Sequence, residues 1–219
     1  MSSPLSPRTA RKRALARAQI LDAAREVVRR EGVAGLTIEA VAALADVSKP
    51  AVYYYFSSKD DLTRALALDR SRDEIEALRS AITAVVPGAS VPEAVIRAYT
   101  THHLASLHLF RAEYVWAQVL GMGGEDVDTA VNRDMVALFT LFEERLSQDQ
   151  ERGLLHDGLH LRRVAVSTWA AAHGLVAMLS LLDTTETRLL HDVNDMVDEL
   201  SAMLTRGIYR GAHEKRRRP

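Results

Sequence analysis

Lys49, Ala51 and three consecutive tyrosines lie in one short stretch of the chain. A lysine ammonium can donate to guanine O6 and N7, and an alanine methyl can contact the methyl group of thymine. Tyrosine hydroxyls are suited to phosphate oxygens. Lys59 and Thr37 could also contact phosphates, Thr37 with help from the positive N-terminal end of the helix that it precedes. These residue types indicate binding to base edges and phosphates in the major groove of DNA.

Two short helices must position these side chains. The spacing of apolar residues predicts one helix at 37–45 and a second at 49–56, joined by a tight turn at 46–48. Thr37 and Ser48 are typical N-cap residues for the two helices. Two such helices after a longer supporting helix form a helix-turn-helix, whose second helix enters the major groove.

The helical period divides the side chains of these helices between two faces. Val52 and Phe56 are four residues apart and are predicted to face the core. The three tyrosines span about 200° of arc, so they cannot all face that core, although a buried aromatic is the alternative for each. Burying three hydroxyls would demand three hydrogen-bond partners. In the first short helix, the residues predicted to face inward are Ile38, Val41 and Leu44. The predicted groove-facing residues are Lys49, Pro50, Ala51, Tyr53, Tyr54 and Tyr55.

The first part of the chain is basic. Residues 1–70 contain twelve Lys or Arg against eight Asp or Glu, whereas the remaining residues contain sixteen against twenty-one. A basic portion on an acidic body indicates that one end meets a polyanion. We expect residues 1–16 to be a disordered arm that adds phosphate or minor-groove contacts, and residues 211–219 to be a solvated basic tail. The cations predicted to contact DNA from this part of the chain are Arg11, Lys12, Arg13 and Arg17.

The remaining chain is predicted to be helical throughout, because apolar residues recur at intervals of three and four. Gly32 is expected to end the first helix. The other predicted helices are 13–31, 60–86, 92–109, 112–120, 127–152, 161–182 and 187–210. The expected fold is all-α with about nine helices, comprising a DNA-binding head at 17–59 and a larger effector-binding and dimerisation body at 60–210.

The segments TIEAVAALAD and VSKPAVYYYFSSKDDL resemble the DNA-binding head of the TetR (tetracycline-repressor) family over about residues 17–66. The resemblance implies a homodimer that represses a promoter from a palindromic operator until a small molecule binds its C-terminal body. One alternative to a ligand-released repressor is an activator or a regulator without a small-molecule effector. A second alternative is a helical-bundle enzyme or carrier. Asp46 and Pro50 stand where the family often has glycine. Aspartate tolerates a left-handed backbone conformation better than most residues, and proline suits a first turn.

The C-terminal body contains Trp169-Ala-Ala-Ala-His173-Gly174, which is similar to the W-x-x-x-H-G element of one TetR subgroup. Trp169 and His173 share a helix face, either as a pocket wall or as packed side chains with one satisfied core histidine. The small residues beside them suit close helix approach, and hence a homodimer formed by helices 161–182 and 187–210. A mostly apolar pocket would take a small, largely apolar ligand, with core packing as the alternative for each lining residue. The candidate pocket residues are Tyr99, His103, Leu107, Phe110, Tyr114, Trp116, Phe139, Phe142, Trp169 and His173.

Several classes of protein are disfavoured by the sequence. The chain has no cysteine, so disulfides and thiolate chemistry are excluded. It has no HExxH, P-loop, GxSxG or Glu-x-x-His motif, so we expect no enzyme, no metal and no cofactor. We find no targeting segment and no apolar run of membrane-spanning length, so we expect a cytoplasmic protein that does not bind membranes.

Overall fold

The computed structural model describes residues 6–107, 109–111, 129–181 and 192–211. These residues form eight helices and no strand, apart from an isolated bridge between Leu155 and Tyr209. The all-α prediction is confirmed, and the helix predicted at 112–120 lies outside the described residues. The helices in chain order are α1 (Pro7–Gly35), α2 (Ile38–Leu44), α3 (Lys49–Tyr55), α4 (Lys59–Ala84), α5 (Val91–Leu104), α6 (Thr129–Glu151), α7 (Leu161–Leu181) and α8 (Val193–Ile208).

The chain divides into two compact units. Among the described residues, the first unit comprises 6–70 and 109–111, and the second comprises 71–107, 129–181 and 192–211. The division falls inside α4 at Arg70, whereas the sequence pattern suggests a division before that helix. The predicted helix at 92–109 is interrupted by a turn at 105–106, shortly before the chain returns to the first unit. Ala105 and Ser106 carry no strong stop signal, so sequence patterns do not show this break.

The first unit has an apolar core formed by α1, α2, α3 and the start of α4. Val52 and Phe56 are fully buried in it, as predicted, and Ile38 and Val41 are buried beside them. This core fixes which faces of the two short helices remain outside.

One inward assignment in α2 is wrong. The pattern predicts that Leu44 faces the core, but Leu44 is 38% exposed and Ala45 is buried instead. The Gln19 side-chain amide donates to the Ala45 carbonyl at 2.9 Å, so the chain lies against α1 at Ala45. Leu44, at the last position of α2, is thereby left at the edge of the core.

α1 begins at Pro7 instead of about Arg13. The Ser6 hydroxyl accepts the Thr9 N–H at 3.3 Å, and proline at a first helical position suits a helix start. The expected arm is therefore helical from Pro7 onward and not disordered. Gly32 has a φ of 70°, so the regular helix is interrupted where its end is predicted.

The second unit packs α5 against α7 and α8, and α6 against α7. Among the described residues, α7 alone is long and apolar enough to cross a membrane, with a mean hydropathy of 1.6 in its apolar window. This does not by itself indicate a membrane protein, because the core helix of a folded unit has the same length and composition. The buried residues of α7 are Ala165, Thr168, Ala172, Leu175, Val176, Leu179 and Ser180.

A buried carboxylate holds the segment that follows α8. Asp149 of α6 is fully buried, and the Tyr209 hydroxyl donates to its Oδ2 at 2.9 Å. Guanidinium nitrogens of Arg145 and Arg152 lie 3.4 and 3.6 Å from its Oδ1. The Val91 N–H donates to the same tyrosine hydroxyl at 3.3 Å. Burial raises the pKa of Tyr209, so the phenol stays protonated and remains a donor.

We expect Tyr209→Phe to lower the free energy of unfolding by about 1–3 kcal/mol, because buried Asp149 loses a hydrogen-bond donor. Urea unfolding followed by circular dichroism measures this change. Tyr53→Phe is the matched control, since it removes an exposed hydroxyl and should change the free energy by less than about 0.5 kcal/mol. Equal losses in the two variants would contradict a stabilising role for the buried pair.

Candidate functional site

Side-chain caps define the geometry of the helix-turn-helix. The Thr37 hydroxyl accepts the Ala40 N–H at 3.1 Å, and the Ser48 hydroxyl accepts the Ala51 N–H at 3.3 Å. Asp46 has a φ of 52°, so the turn uses the left-handed conformation that the sequence assigned to this position. The caps and the turn together fix where α3 starts.

The exposed face of α3 carries two of the three tyrosines. Tyr53 and Tyr54 are 52% and 64% exposed. Tyr55 is half-buried and packs against the core of the first unit, because it lies three residues after Val52 and so borders the buried face. Ala51 is also half-buried. The exposed residues of this face are Lys49, Pro50, Tyr53 and Tyr54.

Two arginines of α1 lie over aromatic rings near α3. The Arg13 guanidinium is 5.1 Å from the ring centroid of Tyr54, and the Arg17 guanidinium is 4.9 Å from that of Phe56. Cation–π contacts of this kind hold the cations beside α3. Arg11 and Lys12 are exposed on the first turns of α1.

Lys49 is joined to a carboxylate that sequence reasoning missed. Its ammonium lies 2.7 Å from Glu39 Oε1, and the two side chains are 54% and 60% exposed. The hydrogen bond from Lys49 holds the pKa of Glu39 below its usual value, so the carboxylate is ionised at neutral pH. Sequence alone shows only an acid in the first turn of α2, a common position that gives no sign of this partner.

Lys59 begins α4, and the cap of that helix involves its neighbours. The Ser58 hydroxyl accepts the Asp61 N–H at 3.0 Å, and the Asp61 carboxylate accepts the Ser57 N–H at 2.8 Å. Lys59 is exposed beside this cap. Its charge and the helix N-terminus both favour a phosphate at this point.

A second group of polar side chains lies inside the second unit and is called here the Glu74 cluster. His103 Nε2 lies 3.1 Å from Glu74 Oε2, and the Trp169 indole N–H donates to Glu74 Oε1 at 3.3 Å. A hydrogen bond of 2.8 Å joins the Tyr99 hydroxyl and His173 Nδ1. The rings of Trp169 and His173 are stacked with centroids 5.3 Å apart. The cluster therefore connects α4, α5 and α7.

The predicted pocket residues separate into groups. Tyr99, His103, Trp169 and His173 meet in the Glu74 cluster, and the Phe139 ring lies edge-on to Trp169 at 6.2 Å. Burial lowers the pKa of His173, so its neutral form is favoured there. Because His173 is hydrogen-bonded to Tyr99, it fits the second interpretation from the sequence, a packed histidine with a hydrogen-bond partner.

The other pocket candidates lie elsewhere. Phe142 is buried on α6, and Leu107 is half-buried after the end of α5. Phe110 is buried in the first unit, whereas the Glu74 cluster belongs to the second. Tyr114 and Trp116 lie outside the described residues.

Residues 20–66 match the sequence profile of the tetR family of bacterial regulatory proteins. The match runs from α1 into α4 and includes both short helices. These residues form the DNA-binding domain of the TetR family of transcriptional regulators. The family predicted from the helix-turn-helix is thus confirmed.

Other proteins are similar to this one along most of the chain. An uncharacterised HTH-type transcriptional regulator of Mycobacterium tuberculosis is 28% identical over 206 residues, which cover 90% of this chain and 85% of that protein. A TetR/AcrR-family regulator from Thermobifida fusca has a TM-score of 0.69 at 18% identity, covering 87% of this chain and 97% of that one. FadR from Bacillus subtilis, solved in complex with stearoyl-CoA, has a TM-score of 0.61 at 18% identity, covering 88% and 99%. The two structures share the fold.

Glu74 was also missed by sequence reasoning, although the sequence of α4 carries a signal for it. The inward stripe of α4 is apolar at Ile75, Leu78 and Ile82, all buried. Arg70 and Glu74 place two charges four residues apart along this stripe. Charged residues on a buried stripe require partners, and a search for such interruptions would have found Glu74.

We expect Asp46→Val to lower the free energy of unfolding by about 1–2 kcal/mol, because a β-branched residue resists the left-handed conformation. Asp46→Gly should leave stability unchanged or raise it, since glycine adopts this conformation without strain. Urea unfolding of both variants measures the effect. An equal loss for glycine and valine would show that the aspartate side chain, and not the backbone conformation, matters at this turn.

Proposed function

We propose that this regulator is a repressor that binds a palindromic operator as a homodimer and leaves it when a small molecule binds the second unit. The exposed face of α3, with Lys49, Tyr53 and Tyr54 outside and Val52 buried, is the observation that carries the DNA-binding part. A two-fold dimer would place one α3 in each of two major grooves about one helical turn, or a multiple of it, apart. The protein would act in the cytoplasm and catalyse no reaction.

Footprinting on the DNA upstream of its own gene tests this function, with transcription from the same promoter measured with and without the protein. A protected palindrome and fewer transcripts are expected. More transcripts would identify an activator, and no protection at low salt would contradict specific DNA binding.

The binding of a phosphate by Lys59 can be tested separately. We expect Lys59→Ala to make the dependence of log affinity on log salt less steep by about 0.9 for each phosphate that the lysine neutralises, hence by about two for a dimer. Fluorescence anisotropy over a range of KCl concentrations measures the slope. Arg163→Ala removes an exposed cation from α7 and serves as the control. An unchanged slope for Lys59→Ala would place this lysine away from the DNA.

The proposed dimer contact is a groove between α7 and α8. Its floor is apolar and contains Met178 and Met203, which are both exposed, and Asp195 and Glu199 lie among its lining residues. Gly174, on the same groove, has no side chain to hold a second helix away. The matching surface of a second copy would cover these side chains and remove them from water. The residues lining the groove are Ala171, Gly174, Leu175, Met178, Asp195, Met196, Glu199, Leu200 and Met203.

We expect Gly174→Leu to weaken the dimer at least tenfold, because the side chain would fill the space of the partner helix. A Cβ at Gly174 meets nothing within 4 Å, so the folded subunit itself accommodates the change. Sedimentation equilibrium measures dissociation. Gly207→Leu is the matched control, since Gly207 is an exposed helical glycine with the same open surroundings that does not line this groove. A Gly174→Leu dimer as tight as the control would contradict this interface.

The proposed release mechanism depends on α4. This helix begins directly after the helix-turn-helix and carries Glu74, whose carboxylate is bonded to α5 and α7. A ligand that replaces one of these bonds would shift α4 and with it the separation of the two DNA-binding heads. Such a ligand must bind the DNA-free form more tightly. The fold shared with FadR, which was solved with stearoyl-CoA, makes long-chain acyl compounds the first class to test.

A further inference from the structure

The Glu39–Lys49 pair links the two helices of the helix-turn-helix at their N-terminal ends. Glu39 lies in the first turn of α2, and Lys49 is the first residue of α3. Their charged atoms are 2.7 Å apart, and more than half of each side chain is exposed. Water and salt screen a pair this exposed, so it contributes little to folding. Its position at the start of the DNA-facing helix points to recognition instead.

An ammonium next to a carboxylate is complementary to one base pair in particular. In the major groove, a guanine–cytosine pair presents the acceptors N7 and O6 beside the N4 donor of cytosine. Lysine donates to the guanine atoms, and glutamate accepts from the cytosine amino group. The two groups can therefore contact one base pair while they stay close to each other.

The carboxylate also opposes binding to other DNA. Phosphates attract Lys49 on DNA of any sequence. When Lys49 moves to a phosphate, however, the Glu39 carboxylate loses its cation and lies unpaired next to the negatively charged DNA. On a matching guanine–cytosine pair, both charges keep a partner. The binding free energy is therefore more favourable for matching DNA than for other DNA, because the Glu39 carboxylate is repelled where it has no donor.

We infer that Glu39 is a specificity-determining residue, which reads one guanine–cytosine pair in each half-site together with Lys49 and weakens binding to non-matching DNA. This inference rests on the proposed function, because it requires sequence-specific DNA binding.

Selection of bound duplexes from a random DNA library, with the full-length protein and with Glu39→Gln, tests the inference. Wild-type protein should select a motif with a guanine–cytosine pair at one position of each half-site. In Glu39→Gln the preference at that position should fall about tenfold, because a neutral amide oxygen accepts from the cytosine amino group more weakly than a carboxylate and no longer forms an ion pair with Lys49. Affinity for a duplex without the motif should rise, and its salt dependence should steepen.

Two further variants test whether Glu39 and Lys49 read the same base pair and whether a change of charge alone explains the effect. Lys49→Met should relax the preference at the same position as Glu39→Gln, because both side chains read one base pair. Asp22→Asn makes the same change of charge at an exposed site on α1 and should leave the selected motif unchanged.

Two negative outcomes are distinguishable. If wild-type protein selects a motif and Glu39→Gln selects the same motif with the same preferences, the inference about Glu39 is overturned. Relaxation of different positions by Glu39→Gln and Lys49→Met would overturn it as well. If wild-type protein selects no motif, the proposed function itself fails.

Discussion

The packing of Val52 and Phe56 into the core of the first unit decides which side chains of the helix-turn-helix can meet DNA. A helix has 3.6 residues per turn, so burying one stripe of α3 fixes the direction of every other side chain on it. Tyr53 and Tyr54 are turned outward, whereas Tyr55 borders the core and is half-buried. The exposed surface of α3, which we propose to face DNA, is therefore a consequence of hydrophobic burial on the opposite side of the same short helix.

The cations of this surface are held in position within the free protein. Arg13 and Arg17 stack over aromatic rings, and Lys49 is paired with Glu39. Side chains that are already ordered lose less conformational entropy when they bind, so such contacts favour recognition by reducing its cost. The arginine stacks keep the full positive charge available, but the Glu39 carboxylate offsets that of Lys49. The two arginines and the Glu39–Lys49 pair therefore differ in net charge, and the sequence-reading role that we propose for the pair depends on this difference.

α4 carries one bonded carboxylate in the part that belongs to each unit. In the first unit Arg25 of α1 forms an ion pair with Asp69, and in the second Glu74 is bonded to His103 and Trp169. Asp69 and Glu74 are five residues apart, which is about one and a half turns. A continuous helix is stiff over this length because its backbone hydrogen bonds are unbroken. In the release mechanism that we propose, this helix is the element on which a ligand at Glu74 would act.

The sequence by itself determined the all-helical fold, the caps of the two short helices and the family of the DNA-binding domain. Helical periodicity and the capping residues Thr37 and Ser48 act over a few neighbours, so they can be recognised in a short window. The start of α1 at Ser6-Pro7 is also signalled by neighbouring residues, so it could have been predicted from the sequence. Only the tertiary structure decided the Glu39–Lys49 pair and the Glu74 cluster. The cluster combines residues about 30 and 95 positions apart, and such contacts depend on how helices pack, which no local pattern specifies. The exposure of Leu44 and the partial burial of Tyr55 also depend on tertiary packing. Helical spacing allows several residues to face the core, and the neighbouring helices decide which of them are buried.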